Sequence, residues 1–195
     1  TVHNNMYEDY IFKFGKIKGN FWIFFHKKAL KKFNYVICCA KNIYDVLTGK
    51  GIKCTYIRNG VKLKYDKDIL LQKRNSEKLE IIKKYNLSSD AIIYFYYGVL
   101  SNRKSPDELI ELFVKNRKSN EYLFIDGEGE LFDKCLSIKD DNVFLLGYIE
   151  NPESFFLASD VYISNSKSEG LSISVLDAIS YGCFLFLYNM GCSAF

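Results

Sequence analysis

The stretch Ala91–Gly129, AIIYFYYGVLSNRKSPDELIELFVKNRKSNEYLFIDGEG, decides the fold. Ile92 to Tyr97 is an almost unbroken apolar run, strand-length and lacking the polar alternation of a half-exposed strand, so it reads as a strand buried on both faces. Gly98 closes it. After a polar loop, Ser105 stands at an N-cap position, Pro106 at the first helical position and Glu108 three residues past the cap. That arrangement predicts a capping box and a helix over 106–118. A second apolar run, Tyr122 to Ile125, is a second strand and ends near Gly127-Glu128-Gly129.

Downstream the alternation continues. A helix is predicted near 131–138, a strand over 143–146, a short helix opening at Asn151-Pro152 and a strand over 161–164. A helix over about 172–181 and a strand over 183–187 follow. Strands and helices alternating this regularly define an α/β protein with a doubly wound parallel sheet, and ligands of such sheets sit at the carboxyl ends of the strands. Upstream the theme repeats more weakly, with strands at Tyr35 to Cys39 and Thr55 to Ile57, a helix at Asn42 to Thr48 and a turn at Arg58-Asn59-Gly60. The Lys/Asp-rich stretch Lys62 to Ser76 has no strong period and reads as an interdomain linker, followed by a helix over about 77–85. Two domains are therefore expected, over residues 1–75 and 76–195.

Composition sets the class. The 195 residues are 48% hydrophobic and 26% charged, which excludes disordered and fibrous classes. The longest nearly apolar run, Ala91 to Leu100, is about half of what a bilayer-spanning helix needs. Thr1 to Asn5 lacks the basic start and apolar core of a secretory signal. The six cysteines (Cys38, Cys39, Cys54, Cys135, Cys183, Cys192) form no CxxC pair and mostly sit in apolar runs, which fits a reducing, cytoplasmic setting. The net charge of +4 comes from lysines scattered among acids, so no nucleic-acid footprint is expected.

Several polar groups fall where chemistry is expected. Gly127 and Gly129 invite a dinucleotide reading, but the third glycine of that fingerprint would fall on Phe132; a tight turn with positive φ accounts for both. The loop Asn165-Ser166-Lys167-Ser168-Glu169-Gly170-Leu171 joins a buried strand to a helix, and amides near Gly170, Leu171 and Ser172 suit a phosphate. Glu169 beside a phosphate suits hydrogen bonds from sugar hydroxyls; by itself it is a helix-dipole partner, and Asp177, two helical turns on, a solvated acid. Arg103 and Lys104 follow Gly98 at the same end of the sheet, placed for a diphosphate. The stretch Phe21–Phe33, FWIFFHKKALKKF, is either a basic amphipathic helix on an anionic membrane or, the favoured reading, a domain helix with its apolar face in the core.

In order and spacing these segments resemble the donor-binding half of GT-B glycosyltransferases, specifically glycosyltransferase family 4. The resemblance rests on Asn59-Gly60-Val61, Gly98 with Lys104, Gly127-Glu128-Gly129, Val143 to Gly147, Ser159-Asp160-Val161, and Glu169-Gly170-Leu171 through Asp177-Ala178 to Gly182. Thr1-Val2-His3-Asn4 is similar to the family's His-containing loop. It implies a Rossmann-like donor domain plus part of a second such domain, in a chain truncated at both ends. The implied activity is transfer of a sugar, with retention and without a metal or other cofactor, from a nucleotide-diphosphate sugar to a glycan or lipid-linked acceptor in surface-polysaccharide or lipopolysaccharide synthesis. Glu169 and His3 then lie by the donor sugar, Asp177 by the ribose and Lys104 by the diphosphate. Arg103, Gly98, Gly127, Gly129, Asn59, Gly170, Leu171 and Ser172 complete the donor site. A cytoplasmic enzyme is implied, with peripheral membrane contact through 21–33 the second reading of that stretch. Two positions depart from the family: Val99 stands where it has Arg, and Asp177 where it has Glu. A non-catalytic nucleotide-sugar-binding fragment or a scaffold, and an epimerase of related fold, are the alternatives.

Overall fold

The computed structural model of the chain describes residues 1–167, 169 and 172–188. They divide into two compact units, one of residues 1–60 with 167, 169 and 172, the other of 61–166 with 173–188.

In the first unit, helix α1 (Met6–Leu30) is broken at Gly15 (φ 74°), and its two halves are tied by a 2.9 Å hydrogen bond between the Tyr10 hydroxyl and His26 Nδ1. Strand β1 (Ile37–Cys38), helix α2 (Lys41–Gly49) and strand β2 (Thr55–Tyr56) follow, with β1 and β2 parallel and Val2 bridged to Cys38. A small core forms around Val2, Leu30, Cys38, Ile43, Leu47 and Ile52. The second half of α1 departs from expectation. Ile23 and Leu30 are buried, but Phe21, Trp22, Phe24 and Phe25 stay 48–57% exposed. A helix cannot direct five consecutive bulky side chains, Phe21 to Phe25, to the same face.

The second unit opens with helix α3 (Lys67–Lys84), which replaces most of the expected linker. Then come β3 (Ile92–Tyr97), α4 (Pro106–Asn116), β4 (Glu121–Asp126), α5 (Phe132–Ile138), β5 (Val143–Gly147), α6 (Glu153–Ala158), β6 (Val161–Ser164), α7 (Ile173–Ser180) and β7 (Phe184–Leu187). The five strands form one sheet in the order β5-β4-β3-β6-β7, every pairing parallel. Alternate residues of the central strands enter opposite cores. Ile93, Phe95 and Phe124 pack with α3, α6 and α7, while Tyr96, Leu123 and Ile125 pack with α4 and α5. Helices thus cover both faces, as the unbroken apolar strands require. Burying a ring such as Phe95 or Phe124, each 0% exposed, contributes about 1.5–3 kcal/mol.

Polar groups add to the apolar contacts of Leu70, Ile81 and Ile82 in holding α3 in place. Arg74 donates to the carbonyls of Tyr181 and Ser159, each at 2.6 Å, and Lys78 binds both oxygens of Asp160 at 2.8 Å. Asp160 in turn accepts the Ile93 amide on β3. Just before α3, Tyr65 and Lys64 bind Glu153 on α6. Residues 62–76 therefore pack into the second unit.

Candidate active site

The carboxyl ends of β3, β4 and β5 are sewn together by backbone. Gly98 N–H donates to Asp126 O, Leu100 N–H to Glu128 O, Leu131 N–H to Leu100 O and Gly127 N–H to Gly147 O, all at 2.8–3.0 Å. Gly127 and Gly129 have φ of 153° and 155°, and a Cβ on them would strike Gly98 O and Leu100 O respectively. The positive φ expected from the sequence is present, with a second cause added: the backbones of two neighbouring loops approach too closely for any side chain.

Between β3 and α4 the chain turns through residues 101–105. Lys104 N–H and Ser105 N–H both donate to Ser101 O at 2.9 Å, and Asn102 binds Glu130 through its backbone N–H (3.0 Å) and its side chain (2.8 Å). This braced turn presents Arg103 and Lys104, both half-buried, on the loop that leaves β3. The expected capping role of Ser105 is not observed. Ser105 is left-handed (φ 46°), and its hydroxyl donates to Asn102 O at 3.0 Å instead of capping α4. A non-glycine residue held there stores strain that the turn must over-determine. Val99, 61% exposed, offers no charge; its carbonyl accepts the Tyr96 hydroxyl.

Asp177 lies on α7, half-buried, and burial pushes its carboxyl above the usual range against the opposing charge of Lys64. It acts on the hydroxyl of Tyr97, the last residue of β3, which burial and the charges of Asp126, Tyr148 and Asp177 all push up. The sequence reading of Asp177 as a solvated acid is thereby corrected to a partly desolvated one. The structure thus gathers Gly98, Arg103, Lys104, Gly127 and Gly129 at one end of the sheet, with Asp177 acting on the terminus of β3.

His3, Asn59, Glu169 and Ser172 fall in the first unit. His3 is exposed and its carbonyl accepts the Cys39 thiol at 3.2 Å; it lines, with His26, Tyr10 and Tyr35, a half-open cavity of about 380 Å³. Asn59 and Ser172 are half-buried, and Glu169 is buried. Gly170 and Leu171 lie outside the described residues.

Two features escaped the sequence reading. Asp66-Lys67-Asp68 is an Asp-x-Asp triplet; it sits exposed at the start of α3, where acids complement the helix dipole. Asp126, hidden at the end of an apolar strand, is 0% exposed, and burial raises its carboxyl to about 6. Its signal was an acid closing an otherwise apolar run.

A parallel sheet covered on both faces, with paired glycine loops and cations at its carboxyl end, defines a doubly wound α/β domain, the architecture whose ligands sit at those strand ends. Residues 77–194 match the family described as Glycosyl transferases group 1, and the chain belongs to it. Among relatives, the "O-antigen biosynthesis glycosyltransferase WclY" of Escherichia coli is 26% identical over 93% of this chain and 51% of its own length. The "Poly(glycerol-phosphate) alpha-glucosyltransferase" of Bacillus subtilis (strain 168) is 40% identical over 34% of this chain and 11% of its own. The solved structure of TarM superposes with a TM-score of 0.70 at 20% identity, covering 97% of this chain and 36% of that one. Anabaena Alr3699/HepE in complex with UDP-glucose gives 0.68 at 13%, covering 84% and 47%. The chain thus spans about half the length of the first curated relatives it matches.

Proposed function

We propose that the second unit binds the donor of a family 4 glycosyltransferase, in a protein that moves a sugar from a nucleotide diphosphate to a glycan or lipid-linked acceptor in surface-polysaccharide synthesis. The observation that carries this is the cradle of Gly98, Arg103, Lys104, Gly127 and Gly129 at the carboxyl end of the sheet. Family membership, a WclY relative and a neighbour crystallised with UDP-glucose support it. In this reading the cation of Lys104 neutralises the departing diphosphate without a metal, because charge develops there as the glycosidic bond breaks. Arg103 assists it. Asp177 accepts a ribose hydroxyl; Glu169 and His3 serve the donor sugar, with retention of configuration. The first unit is the acceptor side.

Phe21–Phe33 is assigned to peripheral membrane contact: exposed Phe21, Trp22, Phe24, Phe25 and Phe33 lie beside Lys27, Lys28, Lys31 and Lys32, a composition suited to an anionic interface.

Calorimetric titration with a panel of nucleotide diphosphates and their sugars tests the donor reading. One nucleotide should bind, and Lys104→Ala should weaken it about tenfold, the worth of a charge-assisted phosphate contact. A folded chain that binds none of the panel would displace this reading in favour of the scaffold, which Val99 already favours by removing a cation.

A further inference from the structure

β4 and β5 pair in register from Leu123 opposite Val143 to Ile125 opposite Leu145; the next pair is Asp126 opposite Gly147, so β5 carries one extra residue. Gly147, at φ 71°, completes the bulge. Bulges bend a strand and redirect the residues beyond them. Here the bulge brings the Ile149 amide onto Asp126 Oδ1 at 3.1 Å. The other carboxylate oxygen, Oδ2, is buried without a hydrogen-bond partner. Asp126 also accepts Gly98 N–H through its carbonyl, and the next amide, Gly127 N–H, is held by Gly147 O. One residue therefore links the ends of three strands where the loops of the cradle begin.

Resting on the donor-site reading above, we propose that Asp126 is a positioning residue of that site: its carboxylate, by holding the Ile149 amide, sets the path of residues 147–150 across the carboxyl end of the sheet and loosens its hold on protonation. A half-satisfied buried carboxyl costs the fold stability, and such costs are kept at functional sites. Burial raises its titration to about 6 and the Ile149 amide opposes the rise. Asp126 acts on the Tyr97 hydroxyl on β3, the same group on which Tyr148 beyond the bulge and Asp177 on α7 act. A carboxylate holds an amide about twice as strongly as a neutral acid, so the clamp tightens as pH rises through this range.

The test compares the full chain with Asp126→Asn between pH 5 and 7.5. Protection of the Ile149 amide, measured by hydrogen exchange and corrected for intrinsic rate, should rise about fivefold across pH 6 in the wild type and stay flat in the variant. Affinity for UDP-glucose, whose diphosphate does not titrate there, should show the same step in the wild type alone. Ile149 protection that is flat in the wild type, or that steps equally in Asp126→Asn, overturns the clamp. A step in protection with no step in affinity overturns its positioning role. If UDP-glucose and the other nucleotide sugars fail to bind at any pH, the donor reading and the positioning role built on it fall together, while the exchange result still decides whether Asp126 clamps the segment. If Asp126→Asn does not fold, the wild-type profile decides by itself.

Discussion

Asp126 shows how a single carboxyl links stability to pH. Its titration near 6 lies above the ~3.9 of an unfolded chain, so the folded state binds the proton more tightly. Its contribution to stability is therefore fully present below about pH 4 and lost as pH rises through 6, a cost approaching about 3 kcal/mol at neutral pH. Asp126→Asn, which keeps the shape and cannot ionise, should raise the urea midpoint at pH 7.5 and leave it nearly unchanged at pH 4; equal shifts at both pH values would contradict the sign. Sequence reasoning missed this residue because the pattern Tyr122 to Asp126 is a buried strand whatever the last side chain is. By contrast, Gly98, Lys104, Gly127 and Gly129 were legible, since spacing alone put them after strands. The role of Ser105 was half legible: its place before α4 was correct, but its hydroxyl found the nearer Asn102 carbonyl, a competition that local sequence does not rank.

Among the elements, α3 is the instructive failure. Its sequence, KDILLQKRNSEKLEIIKK, buries only Ile81, so it carries no apolar stripe to reveal a helix before Glu77. Beyond Ile81 and the partly buried Leu70 and Ile82, what anchors it is a cation reaching backbone carbonyls. Arg74→Ala would leave the Ser159 and Tyr181 carbonyls without this donor and should cost about 2–3 kcal/mol, read as a lower denaturation midpoint. The strands fared better, because burial on both faces writes itself as an unbroken apolar run. For α1, sequence supplied the amphipathic possibility but not which side of it the fold would use. Trp22 is the chain's one tryptophan and is 48% exposed, so it reports on this helix directly. Its emission should shift to the blue on adding anionic vesicles and not neutral ones, with the shift abolished by high salt.

For the whole molecule, the division into two units separates what each can be asked to do. The second unit holds two aromatic-rich cores on opposite faces of one sheet, and its strand ends carry the proposed donor cradle. A ligand that binds only the folded form stabilises it by mass action, by about 2.7 kcal/mol at a hundred times its dissociation constant. The nucleotide that the calorimetry selects should therefore raise the melting temperature by a few degrees, with the gain reduced in Lys104→Ala. The regular alternation made the architecture of this unit readable from β3 onward. The first unit was fainter, because strands of two residues leave little pattern and much of its helical surface is apolar yet uncovered.

The glycine loops leaving β3 and β4 have a bearing on how this site can change over time. Since Gly127 and Gly129 abut the carbonyls of Gly98 and Leu100, neither loop can be lengthened, bent or given a side chain at those points without moving the other. They form a single inheritable cassette. Variation in what the cradle accepts is thereby channelled to the residues between the glycines and to the turn at 101–105, and grafting one loop from a relative should succeed only when its partner is grafted with it.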